Sequence, residues 1–218
     1  MSKKVAVILA GCGVYDGSEI HEAVVTLLSL DRAGAQVQCL APNVAQMHVI
    51  NHATGEVAEG ESRNVLVEAA RIARGHVADI ANAKAEDYDA VIVPGGFGAA
   101  KNLSDFAVKG PELTVNPDVL AFTRAMQEQG KVIGLMCIAP VISAAIFGNG
   151  VSCTIGNDPD TAAAVSQTGA EHMNCAVDEI VVDDARKLVT TPAYMLAGSI
   201  AEAASGIEKL VDKVLSLA

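Results

Sequence analysis

The segment Gly134-Leu-Met-Cys137-Ile-Ala-Pro140 carries the strongest chemical signal in this chain. A buried apolar run ends at Met136 and a helix is predicted within three residues. Cys137 therefore falls on a tight strand-to-helix turn, where a strained backbone pushes its sulfur out over a sheet edge. Pro140 suits a first helical turn, because its missing N–H leaves nothing unsatisfied there. Ala139 is small, as a sharp elbow requires, whereas Leu135 is bulkier than a Gly-x-Ser-x-Gly elbow prefers. The N–H groups and dipole of a helix start stabilise a thiolate, which predicts a Cys137 pKa below the ordinary value of about 8.5. Cys12, Cys39, Cys153 and Cys175 lie in predicted strands or beside glycine turns and read as structural.

Two further groups could act with the thiol. Pro94-Gly-Gly-Phe-Gly98 ends a predicted strand, and glycines there let backbone N–H groups turn inward as donors to an oxyanion. The same run also reads as a plain tight turn. Glu19 and Glu22 stand three apart at a predicted helix start, on one face and on the sheet edge that carries Cys137. Carboxylates in a first turn are also ordinary dipole complements. His21 is offset to another face, and His48, His52, His76 and His172 show no metal-ligand grouping. Gly11-Cys-Gly13 lacks the spacing of a dinucleotide fingerprint, and no acidic residue closes the next strand at Leu40-Ala-Pro42.

The elements that must position these residues alternate between strand and helix. Buried strands are predicted at Val5–Ala10, Val37–Leu40, Asp89–Pro94 and Lys131–Met136. Later strands are predicted at Val151–Ile155, Val177–Val182 and Leu188–Thr191. Helices are predicted from an N-cap at Ser18 to Gly34, then at Val65–Ala73, Val119–Gln129, Ala139–Phe147, Thr161–Val165 and Ile200–Leu217. His48–Asn51 and Glu56–Ala58 flank Thr54-Gly55 as a hairpin appended to the main sheet. The stretch from Ala99 to about Pro117 is too long for a simple connection and reads as a functional loop. This alternation implies a single domain over residues 1–218. Its fold class is α/β, with a doubly wound, mostly parallel sheet, helices on both faces and ligands at the carboxyl ends of the strands.

Composition agrees with a large interior. Hydrophobic residues are 51%, charged 19% and aromatic only 3% of 218 residues, so Ala, Val, Ile and Leu must build the core. A net charge of −11 disfavours nucleic acid and anionic membrane surfaces as partners. No apolar run approaches membrane-spanning length, and the basic start is followed by too short an apolar run for a signal peptide. Five scattered cysteines without a CxxC pair argue against a disulfide framework or a zinc site, so a cytoplasmic home is expected.

Val91-Ile-Val-Pro-Gly-Gly96, Ala100-Lys-Asn-Leu103 and the Cys137-Ile-Ala-Pro140 elbow together resemble the PfpI-like superfamily. This is the branch of class I glutamine-amidotransferase-like, flavodoxin-like folds that includes cofactor-free glyoxalases, and the resemblance covers nearly the whole chain. Gly17-Ser-Glu-Ile-His-Glu22, the inserted hairpin and the long loop are similar to its ElbB-type glyoxalases. The resemblance implies Cys137 as nucleophile, with Gly95, Gly96 and Ile138 supplying N–H groups to the oxyanion. Counting back from Ala33-Gly34 makes Glu22 the catalytic acid, with Glu19 as its partner or replacement. It further implies glyoxal as substrate, no metal or other cofactor, and a homo-oligomer, simplest as a dimer. The chain departs from the amidotransferase pattern, since Val189-Thr-Thr-Pro-Ala-Tyr194 carries neither the late His nor the late Glu. Ile138 stands where related proteases have His, and His172 is the nearest remaining histidine. A base beside the sulfur, needed for amide hydrolysis, is therefore not visible. A non-enzymatic role as a cysteine-based oxidation sensor or binding protein is the competing expectation.

Overall fold

The computed structural model describes residues 2–218. The chain runs through β1 (Lys4–Ile8), α1 (Ile20–Arg32), β2 (Gln36–Ala41), β3 (Ile50–Asn51), β4 (Glu56–Val57), α2 (Val65–Ile72) and β5 (Val77–Asp79). It continues with β6 (Ala90–Val93), α3 (Phe97–Lys101), α4 (Phe106–Lys109), α5 (Pro117–Glu128), β7 (Val132–Met136), α6 (Ser143–Phe147) and β8 (Ser152–Cys153). The last elements are α7 (Pro159–Gln167), β9 (Glu171–His172), β10 (Val181–Asp183), β11 (Leu188–Thr191) and α8 (Ile200–Leu217).

Seven strands form the main sheet in the order β10-β11-β7-β6-β1-β2-β5. All neighbours are parallel except β10 on β11. Both faces are covered, and alternation along β1 shows why the strand is apolar throughout. Ala6 and Ile8 pack towards Phe122 and Met126 of α5, while Val5 and Val7 pack towards Leu30 of α1 and Leu210 of α8. The chain leaves β1 towards β2 on one side and returns at β6 on the other. This is the reversal at which doubly wound sheets open a crevice beyond the carboxyl ends of their strands.

The expected elements are present with shifted ends, and four differences matter. Helix α1 is capped by Glu19 rather than Ser18: the Glu19 carboxylate accepts the Glu22 N–H at 2.7 Å. Ser18 instead accepts the Ala10 N–H at 2.8 Å, tying the loop to the end of β1. The hairpin β3–β4 forms its own two-stranded sheet and does not join the main one. The stretch after Gly98 is not an open loop, because α3, α4 and a 3-10 turn at Gly110–Glu112 fold it back, closed by a Ser104–Val115 bridge. The edge strand β5 and the two-residue β9 escape a period-based reading because they offer only two or three residues of pattern.

Candidate functional site

Cys137 sits immediately after β7 with φ of 60°, a left-handed conformation that a non-glycine residue adopts only when its surroundings impose it. Its N–H donates to the Thr191 carbonyl at 3.0 Å, which anchors the elbow to the end of β11. The sulfur is not thrown out into solvent. Cys137 is 7% exposed, and the N–H groups of Gly96 and Ile138 reach the sulfur. Pro140 lies in the first turn of a 3-10 segment, Ala139–Ile142, that runs into the five-residue α6.

Glu22 is fully buried and meets the Cys137 thiol directly. Its two carboxyl oxygens are held from opposite sides. Gly95 N–H donates to Oε2 at 2.8 Å and Tyr194 N–H donates to Oε1 at 3.1 Å. The carboxyl group is therefore fixed by two backbone amides, one after β6 and one after β11. Glu19 is 9% exposed, caps α1 and lies on the wall of the cavity above the sulfur. The structure thus sets the two carboxylates apart, with Glu22 against the thiol and Glu19 at the helix end.

The expectation that both Gly95 and Gly96 serve an oxyanion needs correction. The Gly95 N–H is committed to Glu22, so the inward donors at the sulfur are those of Gly96 and Ile138. Gly95 is needed for a different reason. A Cβ there would come within 2.7 Å of Glu22 Oε2 and 2.9 Å of Cys137 Sγ, closer than packed atoms allow. Gly96 has φ of 92° and passes so close to the loop before α1 that a Cβ would meet Gly17 O at 2.5 Å. Asn102, in the Ala100–Leu103 motif, locks that loop in place: its amide donates to the carbonyls of Ala10 and Asp16 at 2.9 and 2.8 Å.

Charge in this site differs from the simple elbow picture. Burial pushes the Glu22 carboxyl up from 4.5 to about 7, against the opposing hydrogen bond from Tyr194 N–H, and the Glu19 charge adds to the rise. Burial, and then the Glu22 charge, push the Cys137 thiol well above its ordinary range, and the Gly96 and Ile138 N–H groups oppose this. The expected depression of the thiol is therefore reversed. Only a 3-10 turn and a very short helix follow the elbow, so little dipole is available to offset desolvation. Two adjacent anions in a dry site are the costly state, whereas one proton held between thiol and carboxyl is not. A thiolate forms here most easily by passing its proton to Glu22, which leaves the charge of the pair unchanged.

The remaining candidates lie elsewhere. His172 Nε2 takes the Ile155 N–H at 3.2 Å on β9, and burial lowers its pKa. His21 Nδ1 is 2.8 Å from Tyr194 Oη at the surface end of the site. Cys12 lines a separate cavity of about 340 Å³ with Asp16, His52 and Glu68. Cys39 and Cys153 are buried and Cys175 is half-buried, and burial pushes all three thiols up to about 11. Among the described residues no group of three His, Cys, Asp or Glu side chains is placed to hold a metal ion. Sequence reasoning missed the part played by Tyr194. Its only signal was a strand end followed by Pro192, and the positive φ of Ala193, 45°, is what turns the Tyr194 N–H towards Glu22.

A cavity of about 510 Å³ opens above the sulfur, with Cys137, Glu19, Gly96 and Tyr194 on its walls. A parallel sheet of this order with a cysteine elbow beyond its central strands defines an α/β protein of the class I amidotransferase-like type. Residues 3–198 match the model of the DJ-1/PfpI family. The chain belongs to that family. The human glutamine amidotransferase-like class 1 domain-containing protein 3, mitochondrial, is 50% identical over 98% of this chain and 83% of its own length. The rat ES1 protein homolog, mitochondrial, is 48% identical over 98% and 84%. The crystal structure of an isoprenoid biosynthesis protein with an amidotransferase-like domain from Ehrlichia chaffeensis superposes with a TM-score of 0.93, at 37% identity over 99% of both chains. The mitochondrial names of these relatives overturn the cytoplasmic expectation. Unpaired cysteines report the lack of a disulfide framework, not a particular compartment.

Proposed function

We propose that the protein is a cofactor-independent glyoxalase that converts glyoxal to glycolate through a Cys137 hemithioacetal. The observation that carries this reading is the buried thiol–carboxyl pair, with Glu22 pinned by Gly95 and Tyr194 and the Gly96 and Ile138 N–H groups turned onto the sulfur. The thiol proton passes to Glu22 and the sulfur bonds to one aldehyde carbon. The resulting alkoxide faces Gly96 and Ile138 and is then protonated to the hemithioacetal. Glu22 removes the proton on that carbon, giving an enediol, and returns a proton to the neighbouring carbon, so a thioester of glycolate forms. Water cleaves the carbon–sulfur bond, releases glycolate and restores the thiol. One carbon is oxidised and its neighbour reduced, so the balance needs no external redox partner. A carboxyl group poised near 7 suits this alternation of acid and base. The same chemistry extends to glycated amines.

Burial of Cys137 and the upward push on its thiol weigh against the sensor reading, because oxidation follows exposure and thiolate character. Incubation with glyoxal alone, with glycolate measured as product, tests the proposal, and no Cys137-dependent glycolate would refute it. The homodimer is proposed on a separate feature. Ile20, Val24 and Leu28 stand exposed along one face of α1, an apolar stripe that a second copy of the chain can cover. A chain that sediments at monomer mass would refute that.

A further inference from the structure

We infer that the preferred substrates are uncharged 2-oxoaldehydes bearing a large apolar substituent, with glyoxal the minimal member of the class. The inference rests on the glyoxalase reading above and concerns what else its cavity is built to hold. A volume of about 510 Å³ falls in the range of roughly 300–1,000 Å³ that buries most of a drug-sized ligand. Glyoxal is only two joined carbonyl groups, comparable with a few water molecules of about 30 Å³ each. It would leave most of this space empty or wet.

The walls show what the space suits. Phe97, Phe106, Ile138, Ala164 and Met195 make them largely apolar. Phe97 directly follows the Gly96 donor, is 48% exposed, and is held by its N–H on the Val14 carbonyl at 2.7 Å. An aromatic ring fixed at the lip of a site and left half in water gains free energy when an apolar group covers it. Phe106 comes from α4, in the stretch after Gly98 whose length suggested a functional loop, so that stretch acts by supplying a wall. Charge narrows the class further. Among the described residues no Lys or Arg lines the cavity, while Glu19 and Asp160 do, so a substrate carboxylate or phosphate on these walls would meet like charge. Lys101 Nζ lies outside them, over the Phe97 ring at 5.3 Å from its centroid, and is tied to the Tyr15 carbonyl. With the aldehyde carbon on Cys137 and its oxygen at Gly96 and Ile138, the substituent lies against these walls. The overall change, R–CO–CHO plus water giving R–CH(OH)–COOH, balances as for glyoxal.

The test compares kcat/KM for glyoxal, phenylglyoxal and 4-carboxyphenylglyoxal in the wild type, Phe106→Ala and Ala164→Phe. Burial of a phenyl-sized group corresponds to about ten- to a hundredfold in rate. The phenylglyoxal-to-glyoxal ratio should therefore fall about tenfold in Ala164→Phe, which fills the space, and severalfold in Phe106→Ala, which removes a wall. Because the ratio in each variant is compared with the same ratio in the wild type, the intrinsic reactivity of the two aldehydes cancels. 4-Carboxyphenylglyoxal should be at least about tenfold poorer than phenylglyoxal. Turnover of glyoxal with ratios unmoved within twofold in both variants, or equal use of the carboxylated compound, overturns this inference and leaves the glyoxalase reading intact. Absence of Cys137-dependent turnover of all three overturns both.

Discussion

The Gly95 N–H donates to Glu22 Oε2 at 2.8 Å, so the turn that faces the Cys137 sulfur is also the clamp on the carboxyl group beside it. One amide of the turn holds the acid and the next, on Gly96, meets the sulfur. Acid and donor therefore keep a fixed spacing about the reacting atom, and this arrangement generates most of what can be tested.

Glu22→Gln keeps the shape of the side chain and removes its proton exchange, so glyoxal turnover should fall by about 10²-fold or more. Glu19→Gln should cost far less activity, and should lower stability by about 0.5–1 kcal/mol as a weakened cap of α1. Steady-state kinetics and urea midpoints of the two variants check this. A reversed order of activities would move the acid to Glu19.

Gly95→Ala adds a methyl group where Glu22 Oε2 and Cys137 Sγ stand at 2.7 and 2.9 Å from the new carbon. Either the thiol and carboxyl group separate or the turn shifts, and turnover should fall at least about a hundredfold. Circular dichroism should still report the folded sheet. Wild-type activity in Gly95→Ala would mean that the clamp is irrelevant.

The raised Glu22 pKa makes stability depend on pH, with a definite sign. Between 4.5 and about 7 the folded chain holds a proton that the unfolded chain has released, so this contribution is complete below about 4.5 and is lost as pH rises through 7. The loss from pH 5 to pH 8 amounts to about 2–3 kcal/mol. Unfolding free energies should therefore decline over that interval in the wild type and decline less in Glu22→Gln. The same substitution removes a charge that pushes Cys137 up, so the pH midpoint of Cys137 alkylation should drop in Glu22→Gln. Parallel stability slopes in the two proteins, or an upward shift of the midpoint, would contradict the coupling.

Glutamine should not be hydrolysed at a measurable Cys137-dependent rate. The segment after β11 brings Tyr194 to the site by its backbone N–H and by a ring on the cavity wall, and it supplies no imidazole to the sulfur. Glutaminase activity lost in Cys137→Ser would contradict this, because a base would then have to reach the sulfur.

The alternation of apolar runs with amphipathic stretches made the sheet and its helices legible, because strands buried on both faces leave an unbroken hydrophobic signature such as Val5–Leu9. Cys137 was legible for a local reason: strand, cysteine and proline in seven residues leave little room for any other turn. What the sequence hid depends on distant pairing. Neither the use of the Gly95 amide by Glu22 nor the hold of Tyr194 on the same carboxyl group, 172 positions away, leaves a periodic trace. The upward shift of Cys137 was not legible because its burial depends on how Glu22 and the Gly95-Gly96 turn close on the sulfur, and the shortness of the following helix cannot be read from Pro140 alone.

Whether the Cys137 sulfur carries the substrate is read from glycolate formation from glyoxal by Cys137→Ser beside Cys12→Ser. The serine hydroxyl is far less acidic than a thiol and Glu22 is too weak a base to activate it, so Cys137→Ser should fall to the uncatalysed rate while remaining folded. Cys12→Ser, altered in the separate cavity, should stay close to wild type. Glycolate formed at a substantial fraction of the wild-type rate by Cys137→Ser, or an equal loss in Cys12→Ser, would mean that the Cys137 sulfur does not carry the substrate.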